Sequence, residues 1–271
     1  FLWQYGGAQY YYNDIVGTKE TNQLLANYRA QKVKTITAEG YDAKGVKASD
    51  YFEFHEIIEN GAVLKVSNVV NLNKAVTYYR FDSKGRLISI IDSSTAVQNN
   101  TVYAYDDNDR VKYVKNTAND SSEFFNHTEI HEWHYSSAGL PEKMLRIITS
   151  AEGSDTALIS FAPDEYGNLG EEKTIKKGVE SGNLLYYYDD KNRLTDIVRY
   201  NTKAKKLLPD VMFEYDEAGR VVQRITTTSS MNMGYLIWRY IYDNKGLKTK
   251  EVTFNKEKQV TGKIEYSYTF E

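Results

Sequence analysis

Three of the chain's four histidines fall within one short run, NHTEIHEWHY, as His127, His131 and His134. Read as a strand, its period-2 alternation sets His127, Glu129 and His131 on one face with Trp133 and Tyr135. Two imidazoles and a carboxylate on one face could hold a zinc ion or polarise a ligand. His127, Glu129, His131 and Trp133 are therefore the candidate ligand-binding residues, with His127, Glu129 and His131 as weak candidate metal ligands. The spacing is not that of a zinc protease, because H-E-x-x-H would need a histidine at Tyr135. The structural alternative is a strand that outruns the core, so that these side chains reach water at a rim.

Acid clusters such as Asp106, Asp107 and Asp109 could offer oxygens to calcium, but turn chemistry accounts for them already. No nucleophile elbow, phosphate loop or dinucleotide fingerprint stands out. No catalytic residue and no cofactor is expected, and an enzyme is the less favoured expectation.

The elements that must position these residues are strands. The chain has 271 residues and 24 tyrosines against 10 phenylalanines, 3 tryptophans and 3 prolines, and tyrosine favours strands with one dry and one wet side. A formal charge of −3 gives no electrostatic footprint for nucleic acid. With no cysteine, disulfides and thiolate metal sites are excluded.

One phrase recurs, aromatic-Asp-x-x-Gly-x. It appears as YDAKGV from Tyr41, FDSKGR from Phe81, YDDNDR from Tyr105, YSSAGL from Tyr135, YDDKNR from Tyr188, YDEAGR from Tyr215 and YDNKGL from Tyr242, with a degenerate PDEYGN from Pro163. Only Gly, Asn and Asp hold its fifth position, as a left-handed residue closing a type I turn with a G1 bulge requires. Most intervals between fifth positions suit two strands. The 40-residue gap from Gly45 to Gly85 leaves room for an extra hairpin turning at Glu59-Asn60-Gly61. Alternation collects Tyr79 with Phe81, Trp133 with Tyr135, Phe213 with Tyr215 and their equivalents on one aromatic face. Leu87, Val111, Leu194, Val221 and Ile225 of the exit strands are expected to join it. Leu24, Leu25 and Tyr28 at helical spacing predict one short helix over Thr18 to Gln31, behind a Thr cap, placed to cap the end of the array. The leading FLWQYGGAQYYY reads as an edge strand or ordered arm.

The copies FDSKGRL, YDDKNRL and YDEAGRV resemble the YD-repeat, or RHS-like repeat, of bacterial secreted and surface proteins. The resemblance covers about Tyr41 to the end and implies β-hairpins wound into a curved sheet or hollow spiral. The chain is also similar to short secreted or lipid-anchored YD-repeat proteins of Bacteroidetes-type bacteria, which implies an envelope location and no established activity. The repeats are fewer and more irregular than in the long toxin-enclosing arrays, and no cargo segment is recognisable after the last copy, so enclosure of cargo is not expected.

The expectation is an all-β domain spanning 1–271, a curled antiparallel meander of about sixteen to eighteen strands with one short N-terminal helix. Residues 1–32 form the arm and capping helix and 33–271 the hairpin repeats. The expected role is non-enzymatic binding or scaffolding at the cell envelope, for an unidentified protein or glycan partner. The alternatives are a carbohydrate-binding or carbohydrate-processing module and a metal-dependent site at the His cluster. Export is expected, to the periplasm, an outer-membrane anchor or the cell surface, with a leader removed ahead of Phe1. YSYTFE is similar to the last strand of an outer-membrane barrel. With the aromatic face toward lipid, however, Glu129, His131 and Asn99 would be buried in the bilayer, so the chain is not expected to span a membrane.

Overall fold

Each aromatic-Asp-x-x-Gly phrase closes a hairpin. In the computed structural model, which describes residues 10–71, 73–94, 97–120, 126–201, 204–227 and 234–271, the fifth residue of all eight phrases has positive φ, from 57° at Asn192 to 83° at Gly45. Asp82 shows why the second position is acidic. Its Oδ1 accepts the backbone N–H groups of Lys84 and Arg86, both at 2.9 Å, and its Oδ2 accepts the Arg86 guanidinium at 2.7 Å. Asp106 with Arg110, Asp189 with Arg193 and Asp216 with Arg220 repeat the arrangement. A ninth turn of this kind, Asn255 to Gln259, escapes the sequence pattern because Lys258 takes the left-handed position at φ 60°.

The turns join β1 (Val33–Asp42), β2 (Lys47–Ile58), β3 (Val63–Val70), β4 (Asn73–Phe81), β5 (Leu87–Ser94), β6 (Val97–Tyr105), β7 (Val111–Asp120), β8 (Asn126–Tyr135) and β9 (Pro141–Ser150). The second half runs β10 (Gly153–Pro163), β11 (Leu169–Lys176), β12 (Val179–Tyr188), β13 (Leu194–Asn201), β14 (Lys206–Tyr215), β15 (Val221–Thr227), β16 (Tyr235–Tyr242), β17 (Lys248–Phe254) and β18 (Val260–Phe270). Each strand pairs antiparallel with its chain neighbours, and β18 pairs with β1 from Phe270 opposite Val33 to Gly262 opposite Asp42. The meander thus closes into a barrel of 18 strands, which removes every sheet edge.

Closure puts the aromatic face inside. Tyr79, Phe81, Trp133, Phe161, Tyr186 and Phe213 are buried. The first-position tyrosine of one turn also reaches back to the residue that follows the preceding turn of the same rim. Tyr105 donates its hydroxyl to the Leu87 carbonyl at 2.6 Å, Tyr135 to Val111 at 2.6 Å, Tyr215 to Leu194 at 2.7 Å and Tyr242 to Val221 at 2.9 Å. The sixth-position arginine lies over the next tyrosine, Arg86 at 4.5 Å from the Tyr105 ring and Arg110 at 4.4 Å from Tyr135, a cation–π contact.

Several expectations about the strands need correction. The 40-residue interval from Gly45 to Gly85 holds three strands, β2 to β4, in place of two plus an extra hairpin. The odd number puts the Gly45 turn on the opposite rim from the other seven phrases. Ile225 lies outside, opposite Met212 and Ile237, because the bulge after the turn inserts one residue between Val221 and Gln223 and resets the alternation. The aromatic face is the inner one and not a lipid face, so Glu129, His131 and Asn99, which share it, point into the barrel.

The helix α1 spans Asn13–Ala30, five residues earlier than expected. Thr18 is therefore not its cap; its hydroxyl bonds back to the Asp14 carbonyl within the helix. At about 1.5 Å per residue the helix crosses the barrel interior at the end carrying the seven phrases. It does not cap the end of an array, since a closed ring has none. Leu25 packs with Leu64, Tyr79, Phe81 and Leu87, and Tyr28 with Ile36, Leu247 and Tyr266. Of the leading segment, residues 1–9 lie outside the described residues, and Tyr10 to Tyr12 lead into the helix.

Gly219 has φ 80° and open space where a Cβ would stand, so substitution there tests the turn with no steric clash. Gly219→Val is expected to destabilise by roughly 1–3 kcal/mol. An unchanged melting temperature would show that this turn does not need a left-handed residue.

Candidate functional site

Alternation on β8 places His127, Glu129, His131 and Trp133 on the interior face, where Glu129 opposes Asn116 on β7 and His131 opposes Arg146 on β9. The first turn of α1 comes down onto this face. Asp14 Oδ2 lies 2.6 Å from His131 Nδ1 and accepts the Trp133 indole N–H at 3.0 Å. The other ring nitrogen, Nε2, is 2.8 Å from Glu129 Oε1, which also accepts Arg146 Nε at 2.6 Å. The Tyr11 ring stands edge-on to the imidazole at 5.4 Å. His127 sits farther up the strand, its Nε2 4.0 Å from Glu129 Oε2.

Both nitrogens of His131 face carboxylates, which is the geometry of an imidazolium. Burial works to lower its pKa, but the charge and hydrogen bond of Asp14, then those of Glu129, outweigh it and hold the group at about 9. Burial likewise pushes Glu129 up, and the hydrogen bonds from His131 and Arg146 reverse this to about 2. An imidazolium has no lone pair to give a metal. Among the described residues, no group of three or more His, Asp or Glu side chains is disposed around a common ion position. In this arrangement His131 and Trp133 clamp the helix to the wall through Asp14.

A third carboxylate completes the clamp. Glu172 on β11, 2% exposed, accepts the backbone N–H groups of Tyr11 and Tyr12 at 3.1 Å and the Tyr186 hydroxyl at 2.6 Å. It satisfies donors at the helix start that no local side chain caps, and its charge suits the positive end of the helix dipole. Burial raises its pKa against those hydrogen bonds. At the middle of the helix Asn22 accepts the Leu87 N–H at 2.8 Å, and toward the far end Asn27 donates to the Gly246 carbonyl at 3.1 Å and Arg29 to the Gly61 carbonyl at 3.0 Å. Elsewhere on the interior face, His55 Nε2 lies 3.0 Å from Glu53 Oε2 with both residues buried.

Sequence reasoning found the strand residues of this cluster and missed Asp14, Arg146 and Glu172. Starting the helix at Thr18 left Asp14 outside any element. Arg146 and Glu172 look like other charged strand residues until the register decides their face.

No protein-family model matches the chain, and no curated protein matches it. Several solved structures are similar to the chain at low scores. A porin-like protein from Bacteroides uniformis is 12% identical with a TM-score of 0.43, over 88% of this chain and 98% of that one. A porin-like protein from Bacteroides vulgatus is 10% identical with a TM-score of 0.32, over the same shares. TcdB2-TccC3 without its hypervariable C-terminal region is 13% identical with a TM-score of 0.34, over 81% of this chain and 12% of that one.

The clamp sets a pH dependence. His131, raised in the folded state, stabilises in full below its unfolded value near 6.5 and loses that contribution as pH climbs through about 9. Glu129, depressed, contributes above 4.5 and loses its share as pH falls through about 2. The window of full clamping is therefore mildly acidic, and stability is expected to fall by roughly 1–3 kcal/mol between about pH 6 and about pH 9.5. His131→Gln should flatten that slope. A melting temperature in the parent protein that does not change over this interval would refute the clamp.

Proposed function

We propose that the chain is a non-enzymatic binding or scaffolding protein of the bacterial cell envelope, built from YD-type repeats, whose barrel is a rigid drum with one closed end and not a pore. One observation carries this: α1 lies across the lumen at the phrase-bearing end, tied to β8 and β11 at its start and to the turns at Gly61 and Gly246 at its end. The exterior supports it. Glu56 pairs with Lys65 at 2.7 Å beside the inward pair Ile57 and Leu64. Lys115, Glu132, Lys173 and Arg239 also face outward, by their register with Ile130, Tyr113, Ser160 and Gln223. A barrel in lipid shows the reverse arrangement, apolar outside and polar within, and each Lys or Arg near the midplane would cost roughly 2–4 kcal/mol.

The envelope location rests on the turns Phe81 to Leu87, Tyr188 to Leu194 and Tyr215 to Val221, which resemble YD repeats of secreted and surface proteins. The metal-dependent alternative would first have to strip His131 of two carboxylate partners.

The test is behaviour without detergent. The expected result is a monodisperse protein in plain buffer that neither partitions into phosphatidylethanolamine–phosphatidylglycerol vesicles nor raises the conductance of a planar bilayer. Stable channels would overturn the drum.

A further inference from the structure

The half of the lumen away from α1 differs chemically from the aromatic half. Register carries one inward row from Thr77 on β4 through Asp92 and Asn99 to Ala118 and His127, and a second from Ile90 through Thr101, Asn116 and Glu129 to Ile148 and Asp155. These rows lie on the same face as buried Val66 and Trp133, yet their polar members are not sealed off. Side-chain exposure is 29% at His127 and 38% at Asp155, and Asp92, Asn99, Thr101 and Asn116 are all partly exposed. An inward side chain in a closed ring of strands meets water only where the lumen is open at its level. With α1 across the other end, that opening is a blind cup.

Two of the carboxylates in the cup are already matched by cations. Glu129 is bonded to His131 and Arg146, and Asp155 lies 2.6 Å from Lys176. Asp92 accepts the Thr77 hydroxyl at 3.5 Å, and burial raises its pKa against that hydrogen bond. What the wall offers a visitor is amide, hydroxyl and carboxyl groups on adjacent strands about 4.8 Å apart, the scale of one sugar ring.

We infer that this polar half of the lumen, centred on Asp92, Asn99, Thr101, Asn116 and His127, is a binding cup for a neutral polyhydroxylated ligand, a short uncharged oligosaccharide. The inference rests on the closed-ended drum proposed above, since a through-channel would have no cup floor.

The experiment titrates the whole chain, in detergent-free buffer, with neutral hexasaccharides of β-1,4-glucose, β-1,3-glucose, α-1,4-glucose, β-1,4-xylose and β-1,4-N-acetylglucosamine. Binding is read by calorimetry and saturation-transfer NMR. At least one should bind with a Kd below about 1 mM. Asn99→Ala and Asn116→Ala, on separate strands, should each weaken it by about tenfold with the melting transition intact, whereas Tyr187→Ala on the outer face should leave it unchanged. No binding at about 10 mM by a monodisperse protein would overturn the cup and leave the drum standing. Binding lost in Tyr187→Ala and kept in the asparagine variants would overturn its location. Tighter binding of oligogalacturonate than of every neutral glycan would overturn its chemistry. Bilayer conductance would remove the drum on which the cup depends.

Discussion

The hydrogen bond from a first-position tyrosine to the carbonyl beyond the preceding turn holds the successive hairpins in step. A hairpin turn needs only its Asp and its left-handed residue, and these fix two strands to each other. The Tyr105, Tyr135, Tyr215 and Tyr242 hydroxyls extend that order to the next hairpin, each meeting the carbonyl of the residue that follows the preceding turn. The arginine stacked on the same ring ties its own turn to the next one. Arg193, for example, bonds Asp189 and also reaches the Asp216 carbonyl at 2.9 Å. Tyrosine outnumbers phenylalanine here because phenylalanine could fill the interior but could not bridge the turns.

The interior has two tiers because the helix occupies only one. Where α1 lies, aromatic rings from both sides pack against it and carboxylates are admitted only with partners. Glu172 takes the N–H groups of the helix start, and Asp14 is shared by His131 and Trp133. Burying such groups is expensive, and breaking one pair strands the other charge. Their value lies in specificity: an apolar seam would let the helix slide or rotate, whereas donors at Tyr11 and Tyr12 can meet Glu172 in only one position.

The strands, the turns and the inward aromatic face were legible in the sequence because a two-residue alternation and a glycine rule are local. The outward placement of Ile225 was not, since a single bulged residue inverts the count, and Lys258 hid a turn by breaking the glycine rule. The His cluster was legible as a face but not as a clamp. Its decisive partner, Asp14, is 117 residues from His131, and no local pattern links the two. Closure was equally hidden: the pairing of β1 with β18 depends on the summed tilt of all the strands, and no turn records that sum.

That seam, completed where the Glu271 N–H meets the Lys32 carbonyl at 2.9 Å, gives the molecule a fixed circumference. An open array of hairpins can gain or lose a unit and stay the same kind of object. A ring wrapped around a single helix cannot, because one more hairpin would lift the wall from Leu25 and Tyr28 and one fewer would crush it onto them. The length of α1 and the number of strands are thus one quantity expressed twice. Insertion of a further hairpin is closed to this chain unless its helix changes with it.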